Sequence, residues 1–311
     1  MSTMNRVRLA GAPTEYLEPA VRPSLEEAKA YCKHLAETHY ENFHVATWFL
    51  PARLRPHFQS IYCYCRIADD LGDEVKDREL ALVLLDEWQQ MLDECYDAPE
   101  QSRHPVFVAL AETIRACDIP REPFCDLLIS FRLDQSKSRF ATLDEVVDYS
   151  RSSANPVGRL VLYACGYRDA ERQALSDKTC TALQLANFWQ DVSQDIRERG
   201  RIYVPLDWMA RFGVTEADVK DGRDSAGYRM MMAGLVAYTR EMFAEGARLP
   251  ETVDRELALT LRLFTKGGVA ILDAMERDGF DTITKRPIVS KGKKIALLLG
   301  ALTDKLGVTG R

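Results

Sequence analysis

Apolar residues recur at intervals of three and four through most of the chain, for example over Leu80–Leu92 and Leu175–Val192. That repeat is one face of an α-helix. Pro and Gly fall at the ends of the periodic segments: Pro51, Pro99, Pro105, Pro120, Pro123, Pro205, Pro250 and Pro287. Thr142, just before Leu143-Asp144-Glu145, reads as an N-cap, because its hydroxyl can accept from a first-turn N–H. No segment alternates apolar and polar residues as a half-buried strand does, and no internal repeat or low-complexity linker interrupts the chain. The pattern predicts an all-α fold in one domain spanning 24–287, with an N-terminal extension at 1–23 and a tail at 288–311. The polar stretch Asp218–Tyr228 is expected to be a surface loop. Gly267-Gly268 is expected to mark close helix packing rather than a phosphate loop.

Composition narrows the class. The chain has 311 residues, 46% hydrophobic and 28% charged, which suffices for a substantial core. A net charge of −6 and a pI near 5.6 argue against nucleic acid as a partner. The eight cysteines, Cys32, Cys63, Cys65, Cys95, Cys117, Cys125, Cys165 and Cys180, mostly sit inside apolar helical patterns without metal-ligand spacing, so they read as reduced core thiols. No stretch in Met1–Pro23 suits a signal peptide, so a cytoplasmic location is expected. The apolar Ile295–Leu299, behind Lys291, Lys293 and Lys294, is too short to span a bilayer. This basic-then-apolar end suits either peripheral contact with the inner face of a membrane or docking on the core.

Two acidic stretches carry the chemistry. In Tyr62-Cys63-Tyr64-Cys65-Arg66-Ile67-Ala68-Asp69-Asp70-Leu71-Gly72-Asp73-Glu74, Asp69 and Asp73 are four apart, as are Asp70 and Glu74. On a helix each pair shares a face, and like charges at that spacing destabilise it unless something is bound there. In the second stretch Asn187, Asp191 and Asp195 recur every four residues, flanked by Leu183, Leu185, Ala186, Phe188 and Val192. Carboxylates set in an apolar helix are costly unless paired or bound to metal. Oxygen ligands without His or Cys favour Mg²⁺, which takes one or two carboxylates and completes its shell with water and phosphate oxygens. Opposed acidic faces would then hold a diphosphate through bridging ions. Arg66, one turn before Asp69, and Arg201, after Asp195, suit phosphate oxygens. Arg197 and Arg199 are expected to be solvated. The five histidines lack zinc spacing, and no dinucleotide fingerprint is present.

At these residues the chain resembles the squalene/phytoene synthase family over about 28–280. The residues that carry the resemblance are Tyr62, Arg66, Asp69 and Asp73, then Asn187, Asp191 and Asp195, then Arg201, Tyr203 and Pro205. The resemblance implies the class I isoprenoid synthase fold around a central apolar tunnel, a prenyl diphosphate substrate and Mg²⁺ held by Asp69, Asp73, Asn187, Asp191 and Asp195. It also implies diphosphate or substrate contacts from Tyr62, Arg66, Gln184, Arg201, Tyr203, Asn155 and Phe43, with Asp70 and Glu74 in electrostatic support. Glu41-Asn42-Phe43, Leu50–His57, Ser153–Leu160 and Leu185–Asp191 are most similar to the branch that forms hydroxysqualene from presqualene diphosphate in bacterial hopanoid pathways. That branch implies an upstream presqualene diphosphate synthase handing over substrate.

Departures from the wider family pattern point the same way. Asn42 replaces a small hydroxyl residue before Phe43, and Glu41 would repel a second diphosphate. Ser152 stands where many squalene synthases carry tyrosine. Asn155-Pro156 follows where others have glycine, and Gln190 stands where Arg is common before the first Asp of the second motif. These changes suit an enzyme whose substrate arrives already condensed. A synthase condensing two prenyl diphosphates (squalene, dehydrosqualene or phytoene synthase) and a non-catalytic scaffold are the alternatives.

Overall fold

The helical periodicity is realised throughout the described chain. A computed structural model describes residues 12–39 and 51–290, with 292, 293 and 296. Among them there is no strand, only an isolated parallel bridge between Arg139 and Ile202. The chain divides into two compact units, and no Gly/Pro-rich or low-complexity linker marks the boundary in the sequence.

The first unit takes in, among the described residues, 12–39, Pro51–Ser136 and Tyr163–Gly166. Its helices are α1 (Leu25–His39), α2 (Arg55–Asp73), α3 (Arg78–Asp97), α4 (Pro105–Cys117) and α5 (Glu122–Leu133). Helix α2 packs against all four others. It can do so because Phe58, Ile61, Tyr64, Ile67, Ala68, Leu71 and Gly72 are buried, which gives it an apolar surface on several sides. Asp77 caps α3 by accepting from the N–H groups of Glu79 and Leu80. Below these helices lies an aromatic core in which Trp88 sits 4.5 Å from Phe107 and Tyr64 sits 4.9 Å from Phe124, ring centre to ring centre.

The N-terminal extension is docked where it is described. Tyr16 is buried against Trp88 and donates to Glu87, His104 contacts the Glu15 carbonyl at 2.5 Å, and Arg22 donates to the Ser102 carbonyl at 2.9 Å. A buried aromatic anchor and three polar ties explain why it does not fray as termini usually do.

The second unit comprises Lys137–Leu162 and the described residues from Tyr167 onward. It contains α6 (Leu143–Ser153), α7 (Asn155–Ala164, shared with the first unit at its end), α8 (Ala170–Gln190), α9 (Val192–Arg199), α10 (Leu206–Arg211), α11 (Glu216–Lys220), α12 (Ala226–Gly246) and α13 (Arg255–Arg277). Thr142 caps α6 as expected, accepting from the Glu145 N–H. Helix α8 is the one the others gather on, packing against α6, α12 and α13. Close approach is specified by glycine. A Cβ on Gly268 would lie 2.4 Å from the Phe243 ring, and one on Gly246 would lie 2.3 Å from Thr179 Oγ1. Gly268 thus packs as expected, whereas a Cβ on Gly267 would meet nothing within 4 Å.

The expectation for Asp218–Tyr228 holds for residues 221–225, which form a surface loop, and is corrected at both ends. Its start belongs to α11, which Thr215 and Asp218 close with a reciprocal capping box, and its end is the first turn of α12, where Tyr228 is buried and bonded to Thr282. Most of the 288–311 tail lies outside the described residues, as do Phe43 and its neighbours Glu41 and Asn42. Among the described residues no helix is long and apolar enough to cross a membrane.

Candidate active site

In the first unit the acids occupy the last turn of α2. Asp69 and Asp73 keep the four-residue spacing, with Asp73 the final helical residue. Arg66, one turn earlier, spends its guanidinium on its own helix: it lies 2.5 Å from Asp70, 3.3 Å from Glu74 and 3.8 Å from Asp69. A cation expected to face phosphate is therefore the local counter-ion of three carboxylates. It does not neutralise them fully. Burial, together with the charges of Glu74 and Asp69, pushes the Asp70 carboxyl up to about 7 against the opposing pull of Arg66.

The end of α2 is held by a residue that sequence patterns did not mark. Buried Gln135 donates to the Gly72 carbonyl at 2.7 Å and to the Phe131 carbonyl at 3.1 Å. A side chain at Gly72 would meet Phe131 Cβ at 3.3 Å, so the bare glycine lets this contact close. Tyr62 lies half-buried one turn before Arg66.

In the second unit the acids straddle a helix junction. The stripe of Asn187, Asp191 and Asp195 was expected on one helix, but the backbone leaves helical geometry at Asp191 (φ −104°, ψ 13°), which ends α8 and opens α9. The spacing survives the break, because the Asp191 N–H still donates to Asn187 at 2.9 Å and the Asp195 N–H to Asp191 at 2.8 Å. Asn187 is exposed, Asp191 half-buried and Asp195 buried.

Two arginines neutralise these acids. Arg199 is exposed, as expected, and its guanidinium also reaches Asp195 at 3.3 Å. Arg286 bonds Asp191 through both Nε and Nη2, the latter at 3.2 Å, and Nη2 also donates to Gln190 Oε1 at 3.3 Å. Burial and the neighbouring Asp191 push the Asp195 carboxyl up to about 6, against Arg199 and Arg201.

The Arg201-Ile202-Tyr203 segment that follows is fixed beside residues 138–141. Gly200 (φ 66°) takes the left-handed conformation that ends α9, and its carbonyl accepts from Arg139 at 2.7 Å. The Ile202 N–H donates to Ser138 at 3.0 Å. Arg201 is buried, with a long 3.5 Å contact to the Tyr203 hydroxyl. Tyr203 in turn stacks on Phe188, with ring centres 3.7 Å apart and planes within 7°. Arg201 and Tyr203 are thus held against the apolar flank of the second acidic motif.

Gln184 lies half-buried on α8, three residues before Asn187. Asn155 is a different case. It is buried and its Oδ1 accepts from Thr181 at 2.9 Å, so it ties α7 to α8 and that acceptor is already engaged in a helix contact. Arg286 and Gln135 are the residues the sequence reading missed. Arg286 lies 95 positions from Asp191, beyond any local pattern.

The donor set fits magnesium. The carboxylates and the Asn187 amide are hard oxygen ligands, and Asp70 and Asp195 carry less stabilising charge than they need. Among the described residues no three His, Cys, Asp or Glu side chains form a ready-made cage. Magnesium does not require one, because it draws much of its shell from water and phosphate.

Residues 36–293 match the squalene/phytoene synthase family, across both acidic motifs. The chain belongs to the squalene/phytoene synthase family. It is therefore an enzyme of that family, with its all-helical isoprenoid synthase fold. Phytoene synthase 2, chloroplastic, of Oryza sativa subsp. japonica is 30% identical over 303 residues, covering 94% of this chain and 74% of that protein. Squalene synthase HpnC from Alicyclobacillus acidocaldarius superposes with a TM-score of 0.78 at 42% identity, covering 83% of this chain and 96% of that one. A dehydrosqualene synthase solved in complex with ligand shares the fold at 22% identity, with a TM-score of 0.79 over 91% of this chain and 98% of that one.

Proposed function

We propose that this family member is a hydroxysqualene synthase, taking presqualene diphosphate and water to hydroxysqualene and diphosphate. The observation that carries the reading is Gln190. It is buried, and both ends of its amide are consumed: Nε2 donates to the Pro287 carbonyl at 2.6 Å and Oε1 accepts from Arg286. The position next to Asp191 is thus neutral and locked, and it does not offer a cation to a second diphosphate. The 42% identity to a squalene synthase named HpnC supports the same branch.

In this reading Asp69 and Asp73 on α2, and Asn187, Asp191 and Asp195 at the α8–α9 junction, are the magnesium ligands. Bound magnesium neutralises the charge that grows on the diphosphate as the C–O bond breaks. Arg201 and Tyr203 orient the diphosphate. Phe188 and Tyr203 present apolar faces that exclude bulk water from the cyclopropylcarbinyl cation left behind, and the faces of such rings attract a cation. The cation rearranges, one water forms the new C–O bond, and its proton is released. Carbon and oxygen balance without a reductant.

The 30% identity to a phytoene synthase favours a second reading, condensation of two prenyl diphosphates. The purified protein with Mg²⁺ and no NADPH separates the two. Hydroxysqualene from presqualene diphosphate, with no product from farnesyl diphosphate alone, supports the proposal. A C30 product from farnesyl diphosphate alone moves the chain to the condensing branch.

A further inference from the structure

Arg286 stands in a segment whose two ends are held differently. The base, Asp281–Thr284, is fixed: Thr282 is fully buried and bonded to Tyr228 at 2.7 Å, Ile283 is buried, and Asp281 accepts from the Thr284 N–H at 3.0 Å. The outer part, Lys285–Ile288, leans on the α8–α9 junction through Gln190 and Asp191, with exposed ties from Arg277 to the Ile288 carbonyl at 3.2 Å and from Lys285 to Asp278 at 4.0 Å. Arg286 is 47% exposed there, and Ile288 is 63% exposed.

We propose that Arg286 is a built-in counter-ion that occupies Asp191 in the metal-free enzyme and must leave it for magnesium to bind. The inference rests on Asp191 being a magnesium ligand, as argued above. Both Asp191 oxygens are engaged by the guanidinium fork, the geometry in which arginine holds a carboxylate best. A divalent cation needs one of those oxygens at about 2.1 Å, and a second positive charge beside it repels the first. A half-exposed ion pair is weak enough to be displaced.

Because Asp281, Thr282 and Ile283 are buried, displacement moves only residues 285–288. The Gln190–Pro287 bond then breaks with it, so metal binding frees the outer strap. Asp191 and Gln190 on one side and Arg286 and Pro287 on the other thus form a latch that reports whether metal is present.

The apparent metal affinity is reduced by the fraction of molecules in which the latch is open. If that fraction is about one in five, removing the latch tightens binding about fivefold. The test is Mn²⁺ binding to the full chain without substrate, followed by the loss of the free-ion EPR signal and competed with Mg²⁺. Wild type, Arg286→Gln, Arg286→Lys and Asp191→Asn are compared, with amide exchange of residues 281–288 measured before and after metal.

Arg286→Gln is expected to bind Mn²⁺ about fivefold more tightly than wild type, and Arg286→Lys, which keeps the charge, to stay nearer wild type. In the wild type, exchange at Lys285, Arg286 and Ile288 should rise on metal addition while Thr282 and Ile283 stay protected. Equal affinities for wild type and Arg286→Gln, each abolished by Asp191→Asn, overturn the latch and leave the metal reading standing. Binding undiminished in Asp191→Asn, or absent from every protein, overturns the assignment of Asp191 and the latch with it.

Discussion

The two acidic motifs solve one problem by different means. The first lies on the helix that the rest of its unit packs around, the second at the end of the helix on which α6, α12 and α13 pack, and each carries more charge than a core helix tolerates by itself. At the end of α2 the helix is unbroken and the counter-ion, Arg66, comes from one turn earlier. At the α8–α9 junction the helix breaks at Asp191, and the counter-ions come from the next turn (Arg199) and from a segment beyond α13 (Arg286). The first motif draws its partial neutralisation from Arg66 on the same helix, so its charge balance is set locally. The second depends on tertiary structure, so it can be altered by moving a distant segment.

Metal removal should have the largest effect and should not distinguish the motifs. Chelation with EDTA is expected to lower turnover of presqualene diphosphate by about a thousandfold or more, with recovery on adding Mg²⁺. Next, Asp69→Asn and Asp191→Asn should each cost about a thousandfold in kcat with the circular dichroism unchanged. Retained activity in both would remove the metal assignment, and retained activity in one would show that only the other motif holds the ion.

The counter-ions should separate the motifs. Arg66→Ala leaves the half-buried Asp70 carboxylate without its 2.5 Å partner, and Asp69 and Glu74 without their shared counter-ion, and is expected to cost about 1–3 kcal/mol in urea unfolding. Arg199→Ala loses a longer 3.3 Å contact from an exposed arginine and leaves Asp195 the charge of Arg201, so it should cost about 0.5 kcal/mol. Equal losses would break the distinction drawn here. Gln135→Ala falls between the two: it strips the buried Gly72 carbonyl of one donor and should cost about 1 kcal/mol in the same assay, with kcat falling more than KM rises as Asp69 and Asp73 lose their support.

What was legible in the sequence follows the same division. Helical periodicity is a local signal, so α3, α6 and α8 stand where apolar spacing and the Thr142 cap put them. The acids of α2 were legible for that reason, and so was the four-residue register of the second motif. The break at Asp191 was not, because the i to i−4 bonds run through it and the spacing is undisturbed. Helix α11 was missed because it is five residues long and buries only Val219; the Thr215–Asp218 capping box was its one local sign. Arg286, Gln135 and the engagement of Asn155 with Thr181 arise from contacts between distant segments, which no residue pattern in the neighbourhood announces.

The central claim is that a carbocation formed by C–O cleavage is captured by water. Turnover of presqualene diphosphate in H₂¹⁸O with Mg²⁺, followed by mass spectrometry of the product, tests it most directly. The account predicts hydroxysqualene carrying one ¹⁸O per molecule. Presqualene alcohol without ¹⁸O would mean that the P–O bond is cut instead, and a C30 hydrocarbon without oxygen would mean that no water is admitted; either result contradicts the account.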